Sequence, residues 1–300
     1  MNIKKILGYA LGPIGSAAFG ILSLPLISWY YPAEDIGRIV LLQTISGLTI
    51  LILGLGLDQA YIREYYAAKD KASLFKSISL SPFVLTTAVI LAVLVWNTAW
   101  PADLIFDLQD KTLGLLFLIF LLTSLFARFL SLILRMQEKA VAFSLSQLTP
   151  KFLILALVLL FVFSGVETDT VSLVLAYTVA QVLTVAVLTY QTRHELRAAA
   201  RAPWSSETHH ASLRYGLPLA FGNLAYWGLT SIDRFALKQW AGLNELGIYS
   251  VITKITSFQI WKEVIFLLLQ YFSWFGSLSW TDDTCHFEFF HKASRTVKSN

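Results

Sequence analysis

Apolar runs long enough to cross a lipid bilayer recur along the whole 300-residue chain, and they leave few folds open. Eight can be counted, near residues 7–30, 37–57, 77–99, 112–134, 148–165, 171–190, 215–236 and 248–272. Inside lipid every backbone N–H and C=O needs a partner within the protein, so only helices and closed barrels can span it. Runs this long, with no alternation of polar and apolar residues, are helices. The expected fold is therefore an all-α polytopic membrane protein with about eight transmembrane helices. Composition agrees: 14% of the residues are charged, against about 25% in a soluble domain.

A net charge of +4 raises the question of nucleic acid, but the basic residues sit in short loops between apolar runs, which is the pattern that orients a membrane protein. With the N-terminus in the cytoplasm, thirteen Lys and Arg fall on the inner side: Lys4, Lys5, Arg63, Lys69, Lys71, Lys76, Arg135, Lys139, Lys151, Arg193, Arg197, Arg201 and Arg214. Three fall outside: Arg38, Lys111 and Lys238. The outer loops carry acids instead, among them Glu34, Asp35, Asp103, Asp107, Asp110, Glu167 and Asp169. No cleavable signal is evident, because the first run is full length and lacks a small-x-small site after it.

Two stretches repeat in order and spacing. Tyr9-Ala10-Leu11-Gly12-Pro13 opens the first run and Ala33-Glu34-Asp35-Ile36-Gly37 closes it. Tyr215-Gly216-Leu217-Pro218 opens the seventh, and Leu243-Asn244-Glu245-Leu246-Gly247 follows it. Gly37 and Gly247 lie 210 positions apart. Internal repeats of this kind mark transporters built from two related halves. The boundaries that follow are a first six-helix bundle over 1–192, a cytoplasmic linker over 193–213, the start of a second bundle over 214–272 and a polar tail over 273–300.

The same stretches resemble the polysaccharide flippases of the multidrug/oligosaccharidyl-lipid/polysaccharide exporter superfamily, in particular the O-antigen (Wzx-type) translocases. The resembling residues are Gly12, Pro25, Pro32, Ile36-Gly37, Gly54, Gly56 and Arg63, then Tyr215 to Leu219, Ser231 to Phe235 and Glu245 to Ser250. The likeness covers roughly residues 1–257 and is more specific for the superfamily than for the cargo. It implies translocation of an undecaprenyl-pyrophosphate-linked repeat unit of O-antigen or capsule across the bacterial inner membrane, by alternating access between two six-helix halves. It also implies H+ or Na+ coupling, no bound cofactor, membrane lipids and a lipid-linked glycan as partners, and a polysaccharide polymerase and chain-length regulator nearby. Another exporter of the superfamily, for drugs or peptidoglycan precursor, stays open as an alternative. So does a glycan polymerase or glycosyltransferase, although such enzymes tend to carry a long outer loop, and the longest outer loop here is about Trp100 to Lys111.

Charges inside membrane helices cost roughly 2.5–3.5 kcal/mol each on insertion scales and mark functional candidates. Arg63, at the inner end of the second helix near Asp58, and Arg128, two turns from the inner end of the fourth, lie within snorkelling range of headgroups. Asp233 and Arg234 lie near the outer end of the seventh helix, and Lys254 about two turns into the eighth. Each has two readings, an interfacial anchor or a contact for the pyrophosphate of the cargo. The second reading comes from the resemblance, because the family places basic residues in a central cavity; which of these residues face it stays open. Gly12, Pro13 and Pro25 in the first helix, and Gly216 and Pro218 in the seventh, are candidates for close packing or for a hinge. Gly8, Gly12, Ser16 and Gly20 would form one packing stripe.

No Walker loop, nucleophile elbow or HExxH motif occurs, so catalysis is not expected. His209-His210 has no third ligand near it in sequence, and no metal site is expected; the single cysteine, Cys285, excludes an internal disulfide. Finally, six helices take about 210 residues, so a matching second half would end near about residue 420. The resemblance stops after Lys254-Ile255-Thr256-Ser257, and an aromatic-rich then polar stretch follows. The expectation is a twelve-helix fold truncated by a frameshift or stop near residue 258, unstable or inactive as it stands.

Overall fold

The computed structural model describes residues 3–256, and every regular element among them is an α-helix. In chain order these are α1 (Ile3–Tyr30), α2 (Ala33–Gly54), α3 (Leu57–Glu64), α4 (Lys71–Trp96), α5 (Trp100–Phe106), α6 (Lys111–Met136), α7 (Ala140–Phe163), α8 (Thr170–Gln191), α9 (Arg193–Arg201) and α10 (Ser206–Trp240). Residues 243–251 form a further helical stretch, α11. The chain divides into two compact units, Met1–Val251 and Ile252–Asn300; in the second, residues 252–256 are helical.

α1, α2, α4, α6, α7 and α8 are long and apolar enough to cross a membrane. They coincide with the first six predicted runs, and the protein is a multi-pass membrane protein. The seventh run is α10, 35 residues and so roughly 50 Å long. It carries Arg214, Asn223, Asp233 and Arg234 and falls outside the strongly apolar set. The eighth run lies mostly beyond residue 256, outside the described residues, as do the aromatic-rich stretch, Cys285 and the polar tail.

Polar caps start the helices where the sequence leaves the apolar pattern. The Asp70 carboxylate accepts from the backbone N–H of Ala72 and Ser73 at 2.9 and 3.2 Å, which begins α4. Asp110 does the same for α6 through Thr112 at 2.6 Å. Asp169 and Ser172 form a reciprocal capping box on α8, and the Ser205 hydroxyl caps α10 through the N–H of Thr208. Each cap satisfies an N–H that the helix itself leaves open. Helix α2 ends on Leu55 and Gly56, both at positive φ (53° and 67°), which turns the chain sharply into α3.

Two elements differ from the sequence expectation. α7 begins at Ala140, eight residues before the predicted start of the run at 148. Two polar residues of 140–147 find acceptors in the fold: Ser146 donates back to the carbonyl of Phe143, and Ser144 donates across to that of Gly8 in α1 at 2.5 Å. Lys151, counted as an inner-side charge, therefore sits in the middle of a membrane helix. The linker over 193–213 is also helical, forming α9 and the first two turns of α10. α4 holds it in place. Lys76 donates to the carbonyls of Ala200 and Ala202 at 3.1 and 2.8 Å, Ser73 donates to Pro203, and the Nδ1 of His209 is 2.8 Å from the Ser77 carbonyl. The Nδ1 of His210 lies 2.8 Å from the Ser206 carbonyl.

Packing within the first unit separates into two apolar clusters. One joins Leu41, Leu42, Phe106, Phe117, Val158, Leu173 and neighbours; the other joins Leu57, Ile78, Phe129, Leu130, Leu188 and neighbours. α6 contributes to both, with Leu113 to Leu121 in the first and Leu125 to Met136 in the second. α1 lies along α7. A methyl group added at Gly8 would come 3.0 Å from the Ala140 Cβ, and one at Gly12 3.0 Å from the Ser144 Cα. Gly15 meets Leu148, whereas Gly20 faces open space. The small-residue stripe thus runs through Gly8, Gly12 and Gly15 and leaves Gly20 out. α1 continues through both Pro13 and Pro25, and each proline carbonyl accepts from a serine three residues on, Ser16 and Ser28, at 3.1 Å.

Candidate functional site

The repeated glycines touch. A methyl group at Gly37 would collide with the Leu243 carbonyl and lie 3.3 Å from the Gly247 nitrogen. One at Gly247 would collide with the Ala33 carbonyl, 2.6 Å from its carbon. Ala33 and Leu243 are 210 positions apart, as Gly37 and Gly247 are. Each glycine therefore meets the residue four before its counterpart, so the contact is reciprocal, as a local two-fold axis between the starts of α2 and α11 requires. A second bare-backbone contact lies at the other end of α2. There Gly216 of α10 crosses the Leu55–Gly56 turn, with any added methyl at Gly216 2.8 Å from the Leu55 carbonyl oxygen. Gly216 is a close-packing residue.

Around the first contact stands a buried polar knot. Arg38 donates to Asp35 at 2.7 Å, Thr170 at 2.9 Å, Glu34 at 2.5 Å and the Phe106 carbonyl at 3.0 Å. All four donations bind a cation that is 9% exposed, which meets the requirement that a buried charge be paired. Lys238, near the end of α10, pairs with Asp107 at 2.9 Å and donates to the Leu104 carbonyl at 2.7 Å. At the opposite end, Glu195 of α9 accepts from Gln137 at 2.7 Å and pairs with Lys139 at 3.5 Å. Loops assigned to one side by charge thus meet one another in space.

The predicted site residues fall into two groups. Arg63 lies in the last turn of α3, a short helix of its own after α2, and Arg128 of α6 lies beside it. The Arg63 guanidinium sits 4.2 Å over the Tyr215 ring of α10, and the neighbouring Glu64 accepts from Ser212 at 2.9 Å. Arg128 pairs with Asp58 at 2.7 Å, its side chain about half exposed. Asp233 and Arg234 form the other group. Arg234 donates to the Thr44 hydroxyl at 3.2 Å, eleven residues into α2, so the guanidinium reaches mid-helix and not only the outer end. Asp233 accepts from the Tyr249 hydroxyl at 2.7 Å, and its second carboxylate oxygen is buried without a hydrogen bond among the described residues. The two groups are separated by the second half of α2, roughly 15–20 Å, and do not form one site. Lys254 is helical and belongs to the second unit. Pro218 lies inside α10 and does not end it.

Sequence reasoning missed Thr44 and misplaced Lys151. The signal for Lys151 was present: Ser144, Gln147 and Lys151 follow Ala140 at helical spacing. Among the described residues no group of His, Cys, Asp and Glu has the geometry of a metal site.

The model of a family described as polysaccharide biosynthesis protein matches residues 3–269. No curated protein matches the chain in sequence. Among solved structures it superposes on a multidrug resistance MATE family transporter of the MOP superfamily in an outward-facing conformation, with a TM-score of 0.59 and 18% identity over 85% of this chain and 59% of that one. It also superposes on a MOP superfamily transporter from Pyrococcus furiosus, described as having a binding pocket of reverse polarity that suggests a different function, with a TM-score of 0.59 and 16% identity over 84% and 58%. A third structure, named only as protein A, gives a TM-score of 0.62 and 16% identity over 85% and 60%. The chain spans about three-fifths of the length of these structures, and at such identities the likeness is one of fold.

Proposed function

The chain belongs to the polysaccharide biosynthesis protein family, and from that premise we propose that it serves in moving a lipid-linked oligosaccharide across a membrane. The cargo in this reading is an undecaprenyl-pyrophosphate-linked repeat unit of O-antigen or capsule, and the membrane is the bacterial inner membrane, with the N-terminus in the cytoplasm. The observation that carries the reading is Arg234. Its guanidinium sits at half the depth of α2, held by a single neutral hydroxyl and no carboxylate partner among the described residues. A guanidinium so placed keeps N–H donors for a phosphate oxygen, the anion its planar fork suits best. Arg63 and Arg128, near the other end of α2, would meet the same anion on entry or exit, and Lys254 is a further candidate contact. An H+ or Na+ gradient as the driving force, and a polymerase and chain-length regulator as partners, belong to the same reading.

The test is binding to the full chain in nanodiscs of neutral lipid, with undecaprenyl-pyrophosphate-linked oligosaccharide as the probe. Arg234→Gln should weaken binding by roughly tenfold, as loss of a charge-assisted hydrogen bond implies. Equal binding by Arg234→Gln would remove the residue from the site, and no binding by the unsubstituted chain would end the cargo assignment. A second reading, export of another amphiphile, draws on the fold shared with a multidrug transporter. It predicts that a lipophilic organic cation competes with the glycolipid, an outcome that a cation-lined site disfavours.

A further inference from the structure

α9 divides its residues by charge between two faces. A helix turns about 100° per residue, so Arg193, Arg197 and Arg201, four positions apart, fall within about 80° of one another, with His194 beside them. Glu195, Leu196 and Ala199 lie on the other side. Ala199 is buried in the second apolar cluster, and Leu196 packs against it. Glu195, the one acid of the helix, is turned to the bundle, where Gln137 and Lys139 hold it. The outward face is left with cations and alanine: His194, Arg197, Ala198 and Arg201 are exposed.

The place of α9 in the fold puts that face at the membrane surface. α8 is apolar enough to cross a membrane and ends at Gln191, with only Thr192 before α9 begins. The far end of α9 is fastened to the start of another such helix, α4, through the Lys76 donations to the carbonyls of Ala200 and Ala202. Lys76 lies five residues after Lys71, where α4 starts, or roughly 7 Å along the axis. That is about the thickness of one headgroup layer. Between these ends Glu195 meets Gln137, the residue on which α6 ends. α9 therefore lies across the ends of three membrane helices and does not stand away from them. Aromatic rings flank it. Tyr190, 69% exposed, has the Arg193 guanidinium 4.2 Å over its ring, and Trp204, 46% exposed, follows Arg201. Such rings, apolar with one polar edge, settle at the headgroup level.

A cationic face, an apolar face docked inward and aromatics at each end are the features of a helix lying in a membrane interface. We propose that α9 is a binding site for anionic lipid of the surrounding bilayer, with Arg193, Arg197 and Arg201 meeting the headgroup phosphates. The planar fork of each guanidinium suits a phosphate oxygen pair. A zwitterionic headgroup carries its own cation beside the phosphate, so a face without acids selects lipids of net negative charge. The partner is resident in the membrane, and the inference is independent of the glycolipid cargo. Because α9 leads directly into α10 and is tied to α4, lipid held there fixes the start of α10 at the surface.

The test compares spin-labelled phosphatidylglycerol with spin-labelled phosphatidylcholine around the full chain in bilayers. The unsubstituted chain should hold the anionic lipid in preference by roughly threefold at low salt, and the margin should shrink at high salt. Replacing Arg193, Arg197 and Arg201 together by Gln should bring the two lipids near parity, and replacing them by Lys should keep most of the preference. Three cations removed elsewhere at the same end, by Lys69→Gln, Lys71→Gln and Arg135→Gln, should leave it in place. An equal loss in that control would mean that net charge alone draws the lipid, and an undiminished preference in the Gln variant would remove α9 from the contact; either overturns the proposal. A spin label at Ala198→Cys, in a Cys285→Ser background, reads the position of the cationic face without touching a charge. Its collisions with oxygen and with a water-soluble nickel chelate should be those of the headgroup layer. Free access of the chelate, as in open solution, would overturn the membrane placement and leave the face to an acidic macromolecule.

Discussion

Gly247→Ala should be among the most damaging single-methyl changes in this protein. The added Cβ would sit 2.6 Å from the Ala33 carbonyl carbon and 3.2 Å from its Cα. Comfortable carbon–carbon contact begins at about 3.5 Å, so α2 and α11 would have to part by about 1 Å. The obstacle is backbone, and no rotamer change can relieve it. Overpacking costs typically about 1–3 kcal/mol, and the rigid neighbour puts this case at the upper end. For a chain of this size about 3 kcal/mol corresponds to a fall in the apparent midpoint of roughly 6–12 °C. The nine tryptophans give a fluorescence signal for the thermal scan in detergent. Gly222→Ala is the control: nothing lies within 4 Å of the added methyl, and alanine favours a helix over glycine by about 1 kcal/mol, so its midpoint should hold or rise. The reciprocal geometry makes a sharper claim. Gly37→Ala opens the same gap, so the double variant should be less destabilised than the sum of the singles by at least about 0.5 kcal/mol. Strict additivity, or a Gly247→Ala midpoint equal to that of the control, would refute the contact.

Further outcomes follow from other contacts. Gly12→Ala should lower the midpoint, because the methyl would meet the Ser144 backbone, while Gly20→Ala, which points into open space, should not; equal effects would remove the α1–α7 seam. Burial pushes the Glu195 carboxyl up, but the Gln137 amide and the Lys139 ammonium outweigh it and hold the group below its ordinary value of 4.5. A depressed carboxyl contributes stability that is present above 4.5 and lost as pH falls through the folded value. Glu195→Gln should therefore flatten the fall in thermal midpoint on acidification below about pH 4.5, and an unchanged acid slope would dismiss the pair. Fusions of a reporter active only in the cytoplasm should work at Lys71 and Arg197 and fail at Asp107 and Lys238; activity at Asp107 would invert the orientation.

Most of the fold was legible because lipid leaves so little choice. Leu113 to Leu134 or Val171 to Leu188 can only be helices in a bilayer, whatever they pack against. The first turns of α7 were not legible, because a serine signals a boundary in sequence yet is neutralised in a helix once its hydroxyl bonds back to the preceding turn, as that of Ser146 does. The helices within the linker were hidden for a different reason. Arg193 to Arg201 is rich in Ala, Leu, Arg and Glu, all strong helix formers, but its charge drew the eye to solvent. At the candidate site the charged residues could be named but not their partners. Asp58 and Arg128 are 70 positions apart, and Arg234 and Thr44 are 190 apart; only the bundle brings them together. The repeat of Gly37 and Gly247 could be read, whereas the fact that each rests on the other's helix start could not.

The contacts of α10 differ in kind along its length, and the difference says where relative movement would be easiest. At one end Gly216 lies on the bare turn at Leu55 and Gly56, beside the Arg63–Tyr215 and Glu64–Ser212 pairs. At the other, Lys238 is tied to Asp107 and the Leu104 carbonyl, while the neighbouring α11 meets α2 only a glycine's breadth away. Helices that touch through bare backbone have no interlocked side chains to release when they part. An ion pair set among carbonyls must be broken and rehydrated first. Between these ends Arg234 holds a single neutral hydroxyl at mid-depth, the weakest tether of the series and the one an arriving anion would replace most readily. If binding displaces Thr44 from Arg234, the change is felt at a point of α2 midway between its two glycine contacts, where a small tilt of α10 loosens one end as it tightens the other.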